Sequence, residues 1–122
     1  MQIVNVVIDC ADPEQLAPFW EAATGYSRTW SNEYFVVLSP AERGHPNLLL
    51  QRVDEPKVAK NRCHVDLGAA DLAAEVARLE NLGATRGQAF DIGFVRWNIM
   101  ADPQGNEFCI THSGPEAASE SM

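Results

Sequence analysis

His64 and Asp66 stand two apart in the run Cys63-His64-Val65-Asp66-Leu67, and Glu107 and Cys109 stand two apart in Glu107-Phe108-Cys109. Alternate side chains of a β-strand point to the same face, so each pair shares a face if its segment is extended. An imidazole beside carboxylates can move a proton next to a carbonyl. His64, Asp66 and Glu107 are therefore candidate catalytic residues, although each also reads as an ordinary polar strand residue. Cys109 is a candidate ligand-binding residue. As a nucleophile it needs a base or cation to lower its pKa, which His64 could supply; otherwise it is an inert small filler. Trp97 and Trp30 could wall an apolar ligand site, though aromatics in strands more often serve the core. Arg96 and Arg52 are cations available to a carboxylate or phosphate. His45 and His112, at a turn and a strand end, are expected to be solvated.

The elements that must position these groups come in two copies. Asn5-Val6-Val7-Ile8-Asp9-Cys10-Ala11-Asp12 reads against His64-Val65-Asp66-Leu67-Gly68-Ala69-Ala70-Asp71. Each run ends in an aspartate suited to capping a helix, and each helix ends at a glycine, Gly25 or Gly83. Asn5 and His64 are 59 apart and Gly25 and Gly83 are 58 apart, a slip assigned to Pro13. Leu16, Phe19, Trp20 and Ala23 form one apolar stripe, and Leu72, Val76 and Leu79 form the other. Pro18 falls inside the first helix and predicts a kink or a strained first turn. Strands are expected near 2–10, 26–31, 34–39, 47–53, 63–69, 85–89, 95–101 and 107–112. Asp102-Pro103-Gln104-Gly105 has the residues of a type I turn.

The fold class expected is α+β, with two tandem β-α-β-β-β modules, 1–53 and 63–112, joined by a polar linker at 54–62. Residues 113–122 are expected to be a disordered tail. One helix covers only one face of each sheet, so two curled sheets side by side would make a cup. If Asn5, His64 and Cys109 face the cup, alternation turns Val7, Asp9, Asp66, Glu107 and Thr111 the same way. It turns Val4, Val6, Ile8, Cys10, Cys63, Val65 and Leu67 towards the helices, making Cys10 and Cys63 ordinary buried thiols.

Composition narrows the classes. The 122 residues carry a net charge of -8, which disfavours nucleic acid and anionic membranes as partners. No apolar run approaches the length that spans a bilayer. Three cysteines without a CxxC motif fit reduced thiols in a cytoplasmic protein.

The chain resembles the vicinal oxygen chelate superfamily, and within it the small glyoxalase-like domain proteins. The resemblance rests on Val7-Ile8-Asp9-Cys10-Ala11-Asp12-Pro13 running into Leu16-Ala17-Pro18-Phe19-Trp20. It rests also on Gln51 to Lys57, on Lys60 to Leu67, and on Ala101-Asp102-Pro103-Gln104-Gly105-Asn106-Glu107-Phe108-Cys109. The resemblance implies a cup with four metal-binding positions in the metal-using members, which fall here on Asn5, Gln51, His64 and Cys109. Gln51 follows from an offset of 58, where 59 gives Leu50. Two amides, an imidazole and a thiol suit no common catalytic metal well, so no metal and no other cofactor is expected, with a divalent ion as the alternative. The resemblance also implies a homodimer.

Three functions compete. The first is a metal-independent small-molecule enzyme of isomerase or lyase type acting on a carbonyl-bearing metabolite. The second is a resistance-type binding protein that sequesters a drug or metabolite. The third is a divalent-metal-dependent glyoxalase or dioxygenase.

Overall fold

The structure is a computed structural model that describes residues 1–113. The tail expected at 113–122 lies outside the described residues, apart from Ser113, which ends the last strand. The described residues form two compact units, dividing between Val58 and Ala59.

In the first unit, β1 (Asn5–Cys10) leads into α1 (Pro13–Thr24), followed by β2 (Ser27–Ser31), β3 (Phe35–Ser39) and β4 (Asn47–Arg52). The second unit repeats the order with β5 (Asp66–Gly68), α2 (Leu72–Asn81), β6 (Thr85–Asp91), β7 (Val95–Ala101) and β8 (Glu107–Ser113). Each unit is thus β-α-β-β-β, and the fold class is α+β, with two four-stranded sheets and two helices among the described residues. The sheet orders correspond, β1-β4-β3-β2 and β5-β8-β7-β6. In each, the first and last strands pair in parallel and the remaining pairs are antiparallel.

The helices start where the aspartates dictate. Asp12 Oδ1 accepts from the Gln15 amide at 3.2 Å, and Asp71 Oδ1 accepts from the Ala74 amide at 3.1 Å. Each bond satisfies one of the amides that a helix start leaves without a partner. Gly25 ends α1 at φ 78°, and Gly83 follows α2 at φ 112°, backbone conformations that glycine adopts without cost. The helix α1 is continuous across Pro18, whose ring is exposed. Its first turn therefore faces water, which can bond the Glu14 carbonyl that proline leaves without a donor.

The apolar stripes do what their spacing predicts. Leu16, Phe19 and Trp20 are buried against β3 and β4, where Val36, Leu38, Leu48 and Leu50 point inward. Val76 and Leu79 are buried over Met100, Phe108 and Ile110 in the second unit. Full burial of each large apolar side chain contributes about 1.5–3 kcal/mol, so these two clusters fix which face of each sheet meets its helix. The turn after β7 is held by Asp102, only 2% exposed, whose carboxylate accepts from the amides of Gln104 and Asn106 at 2.9 and 3.0 Å.

Several expectations need correction. The fifth strand spans Asp66–Gly68 rather than 63–69, so strand alternation does not reach Cys63, which is exposed. Val4 is 63% exposed because β1 starts one residue after it. His112 is buried, not solvated: β8 runs past it, and it follows Phe108 and Ile110 onto the helix side of the sheet. Its Nδ1 lies 2.8 Å from the carbonyl oxygen of Ala69. His45 is exposed, as expected.

Candidate functional site

The face of the second sheet turned away from α2 carries Asp66, Glu107 and Cys109. In β8, Phe108, Ile110 and His112 are buried on the helix side, which turns Glu107, Cys109 and Thr111 to the other side. The parallel register sets Asp66 directly beside Cys109. His64, two residues before Asp66, brings its Nε2 to 3.4 Å from Asp66 Oδ1. The donor atoms of His64, Asp66 and Cys109 all lie within 4.8 Å of one another. Asp66 occupies the middle: its carboxylate faces the imidazole and accepts a hydrogen bond from the Cys109 thiol.

That arrangement sets the state of the thiol. Burial, as the largest cause, pushes the Cys109 pKa above its ordinary value of 9.0. The negative charge of Asp66 and the hydrogen bond to it act in the same direction, and the ammonium of Lys60 opposes them. Each favours the form that is cheaper in its environment, and here the neutral thiol prevails. At neutral pH Cys109 is a hydrogen-bond donor and not a nucleophile.

Glu107 has a different task. Its Oε1 accepts from the backbone amide of Asn61 at 2.9 Å, and its carbonyl oxygen accepts from Asn61 Nδ2 at 3.4 Å. These two bonds tie the segment before β5 to the start of β8. Lys60, next to Asn61, is held on that segment, and its charge reaches Cys109. Lys60 was not singled out from the sequence, because nothing in a polar connecting run distinguishes one lysine from another. The alternation of Glu107 with Cys109, which did suggest a shared face, holds in the strand.

Trp97 lies on the same face as Cys109, since it pairs with Thr111 across β7 and β8. It stacks on Phe90 with ring centroids 4.9 Å apart and planes 15° apart. Trp30, in the first unit, is 53% exposed beside Phe35, with centroids 5.0 Å apart. Arg96 is in register with His112 and so belongs to the opposite face from Cys109. Arg52 is on the helix side of β4 and lines a groove of about 290 Å³ with Asp12, Glu14 and Glu33. Three carboxylates there against one guanidinium make it a poor anion site.

The first unit does not assemble a counterpart. Asn5 is in register with Asn47, whose Nδ2 donates to Asn5 Oδ1 at 3.2 Å, while Gln51 is in register with Asp9. Asn5 and Gln51 are therefore separated by four residues along the strand pair, about 13 Å. With the helix caps aligned, Asn5, Val7 and Leu49 occupy the places that His64, Asp66 and Cys109 occupy in the second unit. The offset of 58 that selected Gln51 fails because the last strands are displaced by two more residues than a slip at Pro13 provides.

The sequence matches the family profile described as "Glyoxalase-like domain" over residues 5–111. The chain belongs to the glyoxalase-like domain family. This places the glyoxalase-like chain in the vicinal oxygen chelate superfamily, and solved structures share its fold. A glyoxalase/bleomycin resistance protein/dioxygenase family enzyme from Burkholderia phytofirmans aligns at TM-score 0.79 and 12% identity, covering 93% of this chain and all of the other (100%). The fosfomycin resistance protein FosX from Listeria monocytogenes aligns at 0.72 and 11%, covering 97% and 96%. Lactoylglutathione lyase from Agrobacterium tumefaciens aligns at 0.66 and 17%, covering 91% and 92%. No curated protein matches the sequence. Among the described residues of the glyoxalase-like chain, no helix is long and apolar enough to cross a membrane.

The metal pattern implied by the family does not fit the residues present. Its first-unit donors are amides held apart by the strand register. His64, Asp66 and Cys109, the three that do gather, are each able to ligate a metal ion, and an ion bound there would displace the thiol proton.

Proposed function

We propose that the second unit of this glyoxalase-like protein is a metal-independent catalyst of proton transfer beside the carbonyl of a small metabolite, an isomerase- or lyase-type reaction. The observation that carries the reading is the 3.4 Å approach of His64 Nε2 to Asp66, with the Cys109 thiol in the same cluster. In this reading Nε2–H faces the carboxylate, which leaves Nδ1 as the acceptor for a substrate proton.

The step balances within the residues at hand. Neutral His64 takes a proton from the carbon next to the carbonyl. The C–H electron pair becomes the double bond of an enolate, and the charge moves to its oxygen. Asp66 accepts from Nε2–H and so holds the ring with Nδ1 turned to the substrate. The Lys60 ammonium, whose charge reaches Cys109, supplies a positive charge for the enolate oxygen. The imidazolium then returns its proton to carbon, which regenerates neutral His64 and closes the cycle for an isomerisation.

The test is exchange of substrate α-protons for solvent deuterium, followed by NMR, in the native protein and in His64→Ala. Exchange faster than in buffer alone, lost in the variant, is the expected result. Cobalt titration decides against the reading if a stoichiometric thiolate-to-metal absorption band appears and exchange requires the ion. Ligand-dependent thermal stabilisation with no exchange would instead favour a resistance-type binding protein.

A further inference from the structure

Phe90, Trp97, Thr111 and Gly68 form one row across the four strands of the second sheet. Phe90 is in register with Trp97, Trp97 with Thr111, and Thr111 with Gly68. Paired residues share a face, so all four positions lie on the side that carries Cys109. The first two are filled by stacked rings 4.9 Å apart, which matches the spacing of neighbouring strands of about 4.8 Å. The last two are small. A Cβ added at Gly68 would meet nothing within 4 Å. The row therefore begins with two flat rings and ends in unfilled space. One row over, two residues along each strand, Cys109 stands beside Asp66.

We propose that this half of the row, a partly exposed threonine and an open glycine, receives a planar aromatic or conjugated ring of the substrate, stacked as the third member on Trp97 over Thr111 and Gly68. The inference rests on the proton-transfer reading and gives it a substrate class: aryl-substituted carbonyl compounds. The two rows are about 6.5–7 Å apart along the strands, so one small molecule, with the side chains of the His64 cluster leaning towards it, can lay its ring on Trp97 and its acidic C–H against the cluster. Offset-stacked rings attract beyond the area they bury, which favours a flat ring over an aliphatic chain of similar size.

Calorimetric titration with phenylpyruvate and with pyruvate, which has the same head group and no ring, tests the proposal. The native protein is expected to bind phenylpyruvate at least about tenfold more tightly, a difference that ring stacking and burial can supply. Trp97→Ala is expected to erase the preference and Trp97→Phe to keep most of it. Gly68→Val, which puts bulk where the ring would lie, is expected to erase it as well, and Gly68 has no positive φ that would strain the variant. No binding of phenylpyruvate at millimolar concentration, equal affinity for both probes, or an unchanged preference in both Trp97→Ala and Gly68→Val would overturn the proposal. His64→Ala separates the two readings. It should keep the ring preference while losing exchange of the phenylpyruvate methylene protons above the buffer rate. Exchange that survives in this variant sinks the proton-transfer reading alone; a missing preference with His64-dependent exchange sinks the ring proposal alone.

Discussion

His64 Nε2 lies 3.4 Å from Asp66 Oδ1, on a segment where both side chains are partly exposed. The contact is too solvated to matter much for stability. In the proposed proton transfer its use is to orient the ring. Asp66→Asn keeps the size of the side chain and removes its charge. Steady-state kinetics should show kcat down about a hundredfold with KM nearly unchanged, and thermal unfolding should be close to that of the native protein. A variant as active as the native protein would remove Asp66 from the mechanism.

Thiol labelling distinguishes the three cysteines. Cys63 is exposed, whereas Cys10 and Cys109 are buried, and Cys109 is also held as the neutral thiol. Iodoacetamide at neutral pH should modify Cys63 first, as mass spectrometry of peptides would show. Preferential modification of Cys109 would mean that its thiolate is populated.

The raised pKa of Cys109 also fixes a sign for stability. The folded state prefers the protonated thiol, so this contribution is fully present below the ordinary value of 9.0 and is lost as pH climbs through the higher folded value. Urea unfolding between about pH 8 and about pH 10 should show a steeper decline for the native protein than for Cys109→Ala. Equal slopes would exclude the effect.

Glu107 ties down the segment that carries Lys60. Glu107→Ala removes a charged acceptor from the Asn61 amide and should cost about 1–2 kcal/mol in chemical denaturation. Glu107→Gln retains an acceptor and should recover most of the loss. If both variants match the native protein, water replaces the tie without cost.

Two glycines in the second sheet make a paired comparison. A Cβ at Gly87 would sit 2.9 Å from the Ile99 carbonyl oxygen, in backbone that cannot swing aside, whereas at Gly68 it would meet open space. Gly87→Ala should therefore lose about 1–3 kcal/mol and Gly68→Ala almost nothing, read from urea midpoints. Similar midpoints for the two variants would contradict the close approach of β6 to β7.

Much of this architecture was legible in the residues. Asp12-Pro13 and Asp71 mark helix starts through local bonding, and the apolar stripes mark the buried faces, because both signals act within a few residues. The shared face of Glu107 and Cys109 followed from period-two alternation, whereas His64 precedes β5 and meets Asp66 from outside the strand. Alternation from Phe108 and Ile110 would also have placed His112 inside, had the strand been carried one residue further. What stayed hidden depends on register, which no local pattern records. Only the pairing of Asn5 with Asn47 shows that Gln51 stands apart from it, and only the short extent of β5 shows that Cys63 lies outside the strand. The bulge between Arg28 and Trp30 is equally non-local, and it accompanies a tryptophan left half in solvent.

Because Asn5, Val7 and Leu49 hold the first unit's equivalents of His64, Asp66 and Cys109, the chain carries an internal control with none of the three side chains. Three replacements, Asn5→His, Val7→Asp and Leu49→Cys, would transplant the trio onto a backbone of the same strand order. Whether the graft acquires the proposed chemistry would tell how far the scaffold by itself dictates reactivity.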